Sequence, residues 1–144
     1  MNNKNNSDKN SSRIEIEQMV RDFYKTRRIV NIDNDDLEPF FGDVGTLMAF
    51  DHQEPTSCTQ GMELICDAIK QELHSLEHDY HIERVLFLLF QSAQHELQIT
   101  ELEGFSKIGL PSGVAVTWGF GIQESEYTRV VTLVLIQNSL ISYE

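Results

Sequence analysis

The chain has 144 residues, 40% hydrophobic and 24% charged, a composition that suits one globular domain able to bury a core. Its 23 acidic residues against 11 Lys and Arg give a net charge of −12. Such a surface repels phosphate backbones and anionic lipid, which argues against nucleic-acid and membrane-surface roles.

Residues Met1 to Ser11 are rich in Asn, Ser and Lys with no apolar residue after Met1, and are expected to form a disordered polar tail before a domain over 12–144. The tail lacks the apolar stretch of a secretory signal, and no apolar run reaches the ~20 residues of a membrane span, so a cytoplasmic location is expected. Cys58 and Cys66 are then free thiols. Ser12 and Glu15 form a capping-box pattern that starts a first helix, whose stripe runs through Ile16, Met19, Val20, Phe23 and Val30. Lys25, Arg27 and Arg28 would lie at its C-terminal end, where cations suit the helix dipole. A second, short helix is expected after an N-cap at Asn34, carrying Leu37, Phe40 and Phe41 and stopped by Gly42. Thr46 to Phe50 reads as a short strand, and Asp51 to Ser57 as a polar loop. Thr59 can cap a third helix with Met62, Ile65, Ile69, Leu73 and Leu76 on one stripe.

Beyond Asp79 the apolar period changes from 3.6 to 2. Tyr80–Phe90 reads as a long strand, and His95–Glu103 as an alternating one. After a Gly/Pro/Ser break, Val114, Val116, Trp118, Phe120 and Ile122 line one strand face and Ala115, Thr117, Gly119 and Gly121 the other. Tyr127–Ile136 follows, then a turn at Asn138-Ser139 into Leu140–Glu144. Helices followed by a meander of strands predict an α+β fold, with N-terminal helices packed on a curved antiparallel sheet. Val130, Val134 and Ile136 on one face of a strand, with Val131, Leu133 and Leu135 on the other, leave no solvated side. With helices expected on one face only, a second copy of the chain is expected to cover the other, as a homodimer through the outer sheet face.

This order resembles the nuclear transport factor 2-like superfamily, with its SnoaL-like and ketosteroid-isomerase-like members. The segments that carry the resemblance are Glu17–Tyr24, Asp36–Phe41, Thr59–Ile65 and Leu135–Tyr143. It implies a cone-shaped pocket between the helices and the concave sheet, with Phe23, Phe40, Phe50, Tyr80 and Trp118 as its lining. Proton-shifting members pair a carboxylate base with buried donors. Asp51, just after the first strand, matches the base position, and Tyr24 lies near the position of the donor tyrosine. The late acidic donor falls on Thr132 or Leu133 and is missing. His81 is a further candidate donor, sharing a strand face with Glu83.

Other chemistries find less support. Asp51 also reads as a turn residue, Tyr24 as a core ring with a bonded hydroxyl, and Trp118 as packing. His74 and His78 are four apart and could share a metal, but a solvated helix end explains them equally well. No metal or other cofactor is expected. The chain has no G-x-S-x-G, G-x-x-x-x-G-K-[ST] or G-x-G-x-x-G motif. The leading expectation is a small dimeric domain binding a hydrophobic ligand or protein partner in its cone. The alternative is an isomerase, dehydratase or cyclase with Asp51 as base. A third reading fills the cone with Trp118 and Phe120 and leaves an association module.

Overall fold

The computed structural model describes residues 12–42 and 44–137. The expected tail over residues 1–11 and the last turn and strand, 138–144, lie outside the described residues. Helix α1 is Arg13–Tyr24. Its capping box is the one the sequence encodes: Glu15 N–H donates to Ser12 Oγ at 3.2 Å, and Ser12 N–H to Glu15 Oε1 at 2.8 Å. The helix ends before Val30. Lys25 N–H turns back to the Asp22 carbonyl, Thr26 N–H and Oγ1 both donate to the Phe23 carbonyl, and Arg27–Val30 becomes strand β1. Val30 falls on the helical stripe by spacing alone; its backbone pairs with Phe120 instead.

Helix α2, Asn34–Phe41, is capped one residue earlier than expected, by Asp33, with Asp36 completing a reciprocal box. Strand β2 runs from Thr46 to Pro55, so the expected loop after Phe50 is strand. Its polar residues are tolerated because β2 is an outer strand with alternate positions in solvent. Helix α3, Gly61–Asp79, packs Met62, Ile65, Cys66, Ile69 and Leu73 inward. Strand β3 is His81–Ser92. Helix α4, Ile99–Leu102, and a 3-10 helix, Glu103–Lys107, replace the strand expected over 95–103. Strands β4, Ala115–Gln123, and β5, Tyr127–Gln137, complete the described residues.

The five strands are ordered β1-β4-β3-β5-β2. β3 and β4 are parallel, and the other neighbours are antiparallel. The sheet is therefore mixed, not an antiparallel meander. A parallel pair cannot be joined by a tight turn, so the stretch between β3 and β4 must cross over, and α4 with the 3-10 helix does this.

Helices cover both faces. On one, α3 packs against Phe50, Val85, Phe87, Leu89, Val130 and Val134. On the other, Ile16, Val20, Phe23, Ile32 and Phe40 from the α1–α2 side pack against Leu86, Leu88, Phe90, Val131 and Leu133. Strands apolar on both faces thus belong to a layered sandwich within one chain, and the premise for a covering second copy is met by the chain's own helices. Gly119 lets the α1 side approach: a Cβ there would lie 2.8 Å from Phe23 and 3.1 Å from both Ile32 and Leu88. A cone open between helices and a concave sheet is not what this arrangement makes.

Candidate functional site: an apolar cleft beside Trp118

Strand alternation sends the expected pocket residues to opposite sides of the sheet. Phe23 and Phe40 are buried in the core beneath α1 and α2, whereas Phe50 is buried beneath α3, with Tyr80 packed against the same cluster. The sheet itself separates the two groups, so they line no common cavity. Only Trp118 among them reaches an open site.

The expected catalytic residues are also apart. Asp51, on β2, accepts two hydrogen bonds from Arg129 of β5: Nε to Oδ1 at 2.9 Å and Nη2 to Oδ2 at 2.8 Å. Arg129 Nη1 donates to Asp22 Oδ2 of α1 at 3.2 Å, and the guanidinium lies 4.6 Å over the Phe90 ring. Burial opposes the Arg129 charge, but its hydrogen bonds to Asp51 and then Asp22, with their negative charges, more than reverse this, holding its pKa above the ordinary value. Tyr24 Oη donates to the Ile32 carbonyl at 2.6 Å. Its pKa is raised, first by burial and further by Asp33 and Asp36, against the opposing charge of Arg28. His81 is exposed at the start of β3. Register places Asp51 beside Val131 and Val131 beside Leu88, seven residues from His81, or about 23 Å at ~3.3 Å per residue. No acid, base and donor converge in this set.

The histidines near the end of α3 are separately engaged: His74 Nε2 contacts the Ile108 carbonyl at 2.8 Å, and His78 lies 3.5 Å from Asp79 in solvent. Among the described residues no group of three His, Cys, Asp or Glu is placed to hold a metal. No helix among them is long and apolar enough to cross a membrane.

A different site does bring several elements together. Trp118 and Phe120 of β4, Val30 of β1, Leu89 of β3 and Leu102, Phe105 and Ser106 of the crossover enclose a cleft of about 500 Å³. Its floor is an aromatic cluster, with Trp118 centred 4.7 Å from both Phe87 and Phe105 and tilted against Phe87. The lining's single hydroxyl, that of Ser106, donates to the Glu103 carbonyl at 2.7 Å. The cleft exists because α3 lies toward the β2 side of the sheet and the short crossover reaches only part of β4. Trp118 keeps 39% of its surface in solvent, Val116 42% and Val30 47%. Exposed apolar side chains scattered singly need no explanation, but these adjoin one another on one sheet face.

The β1 edge, which gives Val30 to the cleft, is basic. Lys25, Arg27 and Arg28 lie exposed along β1 and its entry. Arg28 is braced by Tyr24, stacking 5.3 Å from its ring and donating to the Tyr24 and Thr26 carbonyls. β1 pairs only with β4, so its outer edge has no neighbour among the described residues. Sequence reasoning found Trp118 but missed Val30, Leu89, Leu102, Phe105 and Ser106. Their convergence follows from the parallel crossover, which the strand expected over 95–103 had replaced.

By sequence, the chain matches no protein-family model and no curated protein. Its fold does match solved structures. TubZ of Bacillus thuringiensis serovar israelensis, in GDP-form protofilaments, superposes with a TM-score of 0.56 at 14% identity, covering 76% of this chain and 31% of that one. An FtsZ dimer of M. jannaschii gives 0.53 at 16% identity over 75% of this chain and 32% of the other. CetZ from Methanosaeta thermophila gives 0.51 at 15%, covering 85% and 36%. At these identities the likeness is one of fold, and the chain spans about a third of each neighbour. It replaces the nuclear transport factor 2-like resemblance, including its SnoaL-like and ketosteroid-isomerase-like members. That resemblance rested on helix order and loose apolar spacing, which a mixed sheet with a parallel crossover satisfies equally. With it fall the binding of a hydrophobic ligand or protein partner in a cone and the isomerase, dehydratase or cyclase using Asp51 as base.

Proposed function

We propose that this domain is a protein-association module whose working surface is the cleft beside Trp118. The observation that carries the reading is a half-exposed tryptophan on a partly uncovered sheet face, ringed by apolar side chains and bordered by the edge strand β1. Tryptophan is the residue type most often found as an interface anchor, because it brings a large apolar area at little entropic cost. The fold neighbours support the same reading, since one is described as a dimer and another as protofilaments. The shared portion is about a third of those chains, so the proposal concerns association alone and carries no nucleotide chemistry with it.

Site-specific photocrosslinking in the cell that makes the protein tests this. A variant with Trp118→p-benzoylphenylalanine should give one or a few discrete protein adducts on illumination. The same probe at Ile14, which is 74% exposed on α1, is the control and should give none. Absence of a discrete adduct at position 118, or identical adducts at both positions, would overturn the proposal.

A further inference from the structure

The two outer strands, β1 and β2, lie at opposite edges of the sheet, and neither has a second neighbour among the described residues. Their directions follow from the pairings. β1 opposes β4, β4 runs with β3, β5 opposes β3, and β2 opposes β5, so β1 and β2 run in opposite directions. A copy of the chain shifted sideways by one sheet width would therefore set its β1 antiparallel to β2 of the first. The faces would also match. Met48 and Phe50 of β2 and Val30 of β1 belong to the α3 side of the sheet.

The edges differ in charge. Lys25, Arg27 and Arg28 mark the β1 edge of a chain whose net charge is −12. The β2 edge strand carries Asp51 and Glu54 and no Lys or Arg. Asp51 shares its charge with Arg129, so Glu54 leads. Pairing β1 with β1 would set arginine against arginine, and β2 with β2 would set acid against acid. Like charges directly opposed across strands are destabilising, and opposite charges are favourable.

We infer that copies of this chain add to one another head to tail, the basic β1 edge of one pairing with the acidic β2 edge of the next. This rests on the association reading above and gives it a partner, a second copy of this chain. It also covers the cleft. Because α3 lies over β2 on the same face as Trp118, the added copy brings its own α3 beside the exposed tryptophan. A contact between two different edges does not close on itself, so the product is an open row of subunits. β1 has four residues, so each junction has few ladder bonds, and rows should grow with concentration instead of forming a fixed dimer.

Sedimentation velocity of the full chain, from low micromolar to near-millimolar concentration, provides the test. The wild type should show a weight-average sedimentation coefficient that keeps rising with concentration. Two edge variants are made, Lys25→Glu with Arg27→Glu on one edge, and Gln53→Lys with Glu54→Lys on the other. Arg28 is left in place because it braces Tyr24, and matching circular dichroism and urea midpoints establish that both variants fold. Each alone should remain monomeric, and an equimolar mixture should recover association, since each supplies the edge that the other lacks. A wild type that stays monomeric, a variant that associates as well as the wild type, or a mixture that fails to recover would each overturn the inference. A monomeric wild type that still gives a discrete adduct at position 118 would overturn this self-pairing alone. Recovery by the mixture with no adduct at that position would instead overturn the role of the Trp118 cleft.

Discussion

If Asp51 is the anchor of a half-buried ion pair, its energy should be coupled to Arg129 and to little else. The side chains of Arg129 and Asp51 are 16% and 33% exposed. The pair is bidentate, is extended to Asp22, and is backed by the Phe90 ring. A fully exposed pair is worth about 0.2–1 kcal/mol, and breaking a fully buried one costs about 3–5 kcal/mol. With both carboxylates partly in water, the Arg129→Met change should cost about 2 kcal/mol, an estimate lying between those limits. A chain of this length gains ~0.3 kcal/mol per kelvin of unfolding entropy, so the melting temperature should fall by about 7 °C. Asp51→Asn keeps the shape and one hydrogen-bond acceptor and should cost about 1 kcal/mol. The assay is a double-mutant cycle by urea unfolding, read by the single tryptophan, Trp118, and by far-ultraviolet circular dichroism. The expected coupling is about 1 kcal/mol, and single changes that add within ~0.3–0.5 kcal/mol would refute the ion-pair account. So would a stabilising Asp51→Asn, because strain relieved by removing a charge is the signature of a residue held for chemistry.

Three further outcomes test the packing and electrostatics. Gly119→Ala should destabilise by about 1–3 kcal/mol, because the new Cβ meets Phe23, Ile32 and Leu88, which are all buried; an unchanged urea midpoint would refute the close approach. Burial raises the pKa of Glu101, but hydrogen bonds from His95 and Gln98, with the His95 charge, reverse this and hold it below the ordinary 4.5. A carboxyl depressed on folding contributes stability above its unfolded pKa and loses it as pH falls through the folded value. Glu101→Gln should therefore lower stability by about 0.5 kcal/mol near neutrality and by progressively less below pH ~4, measured as urea midpoints across pH. Burial, with Asp67 nearby, pushes the Cys66 thiol up to about 11. Ellman's reagent at mildly alkaline pH should accordingly label the partly exposed Cys58 well before Cys66, with Cys66 reacting at the rate of unfolding. Equal native rates would contradict the burial of Cys66 under the crossover.

Local signals in the sequence were reliable where the deciding interactions span a few residues. The Ser12–Glu15 box, the α3 stripe and the two-faced apolar strands β3 and β5 are each set by neighbours in the chain, and all were legible. Val30 shows where this stops. It fits a helical stripe and a strand equally, and its place was decided by Phe120, ninety residues away. The same holds for 95–103, where apolar alternation favours a strand until the parallel pairing of β3 and β4 demands a crossover. Asp51 was found from its position after a strand, but the residue that determines its chemistry, Arg129, is seventy-eight positions further on.

Composition and periodicity alone determined a mixture of helices and strands, a net charge of −12, and which strands would be apolar on both faces. These properties are sums or short-range patterns, readable without knowing what lies opposite. Tertiary structure decided the parallel crossover, the helices on both sheet faces, the division of the expected pocket residues between two cores, and the cleft at Trp118. Each of these depends on strand order, and strand order is fixed by the joint burial of all five strands, which no local stretch of the sequence encodes.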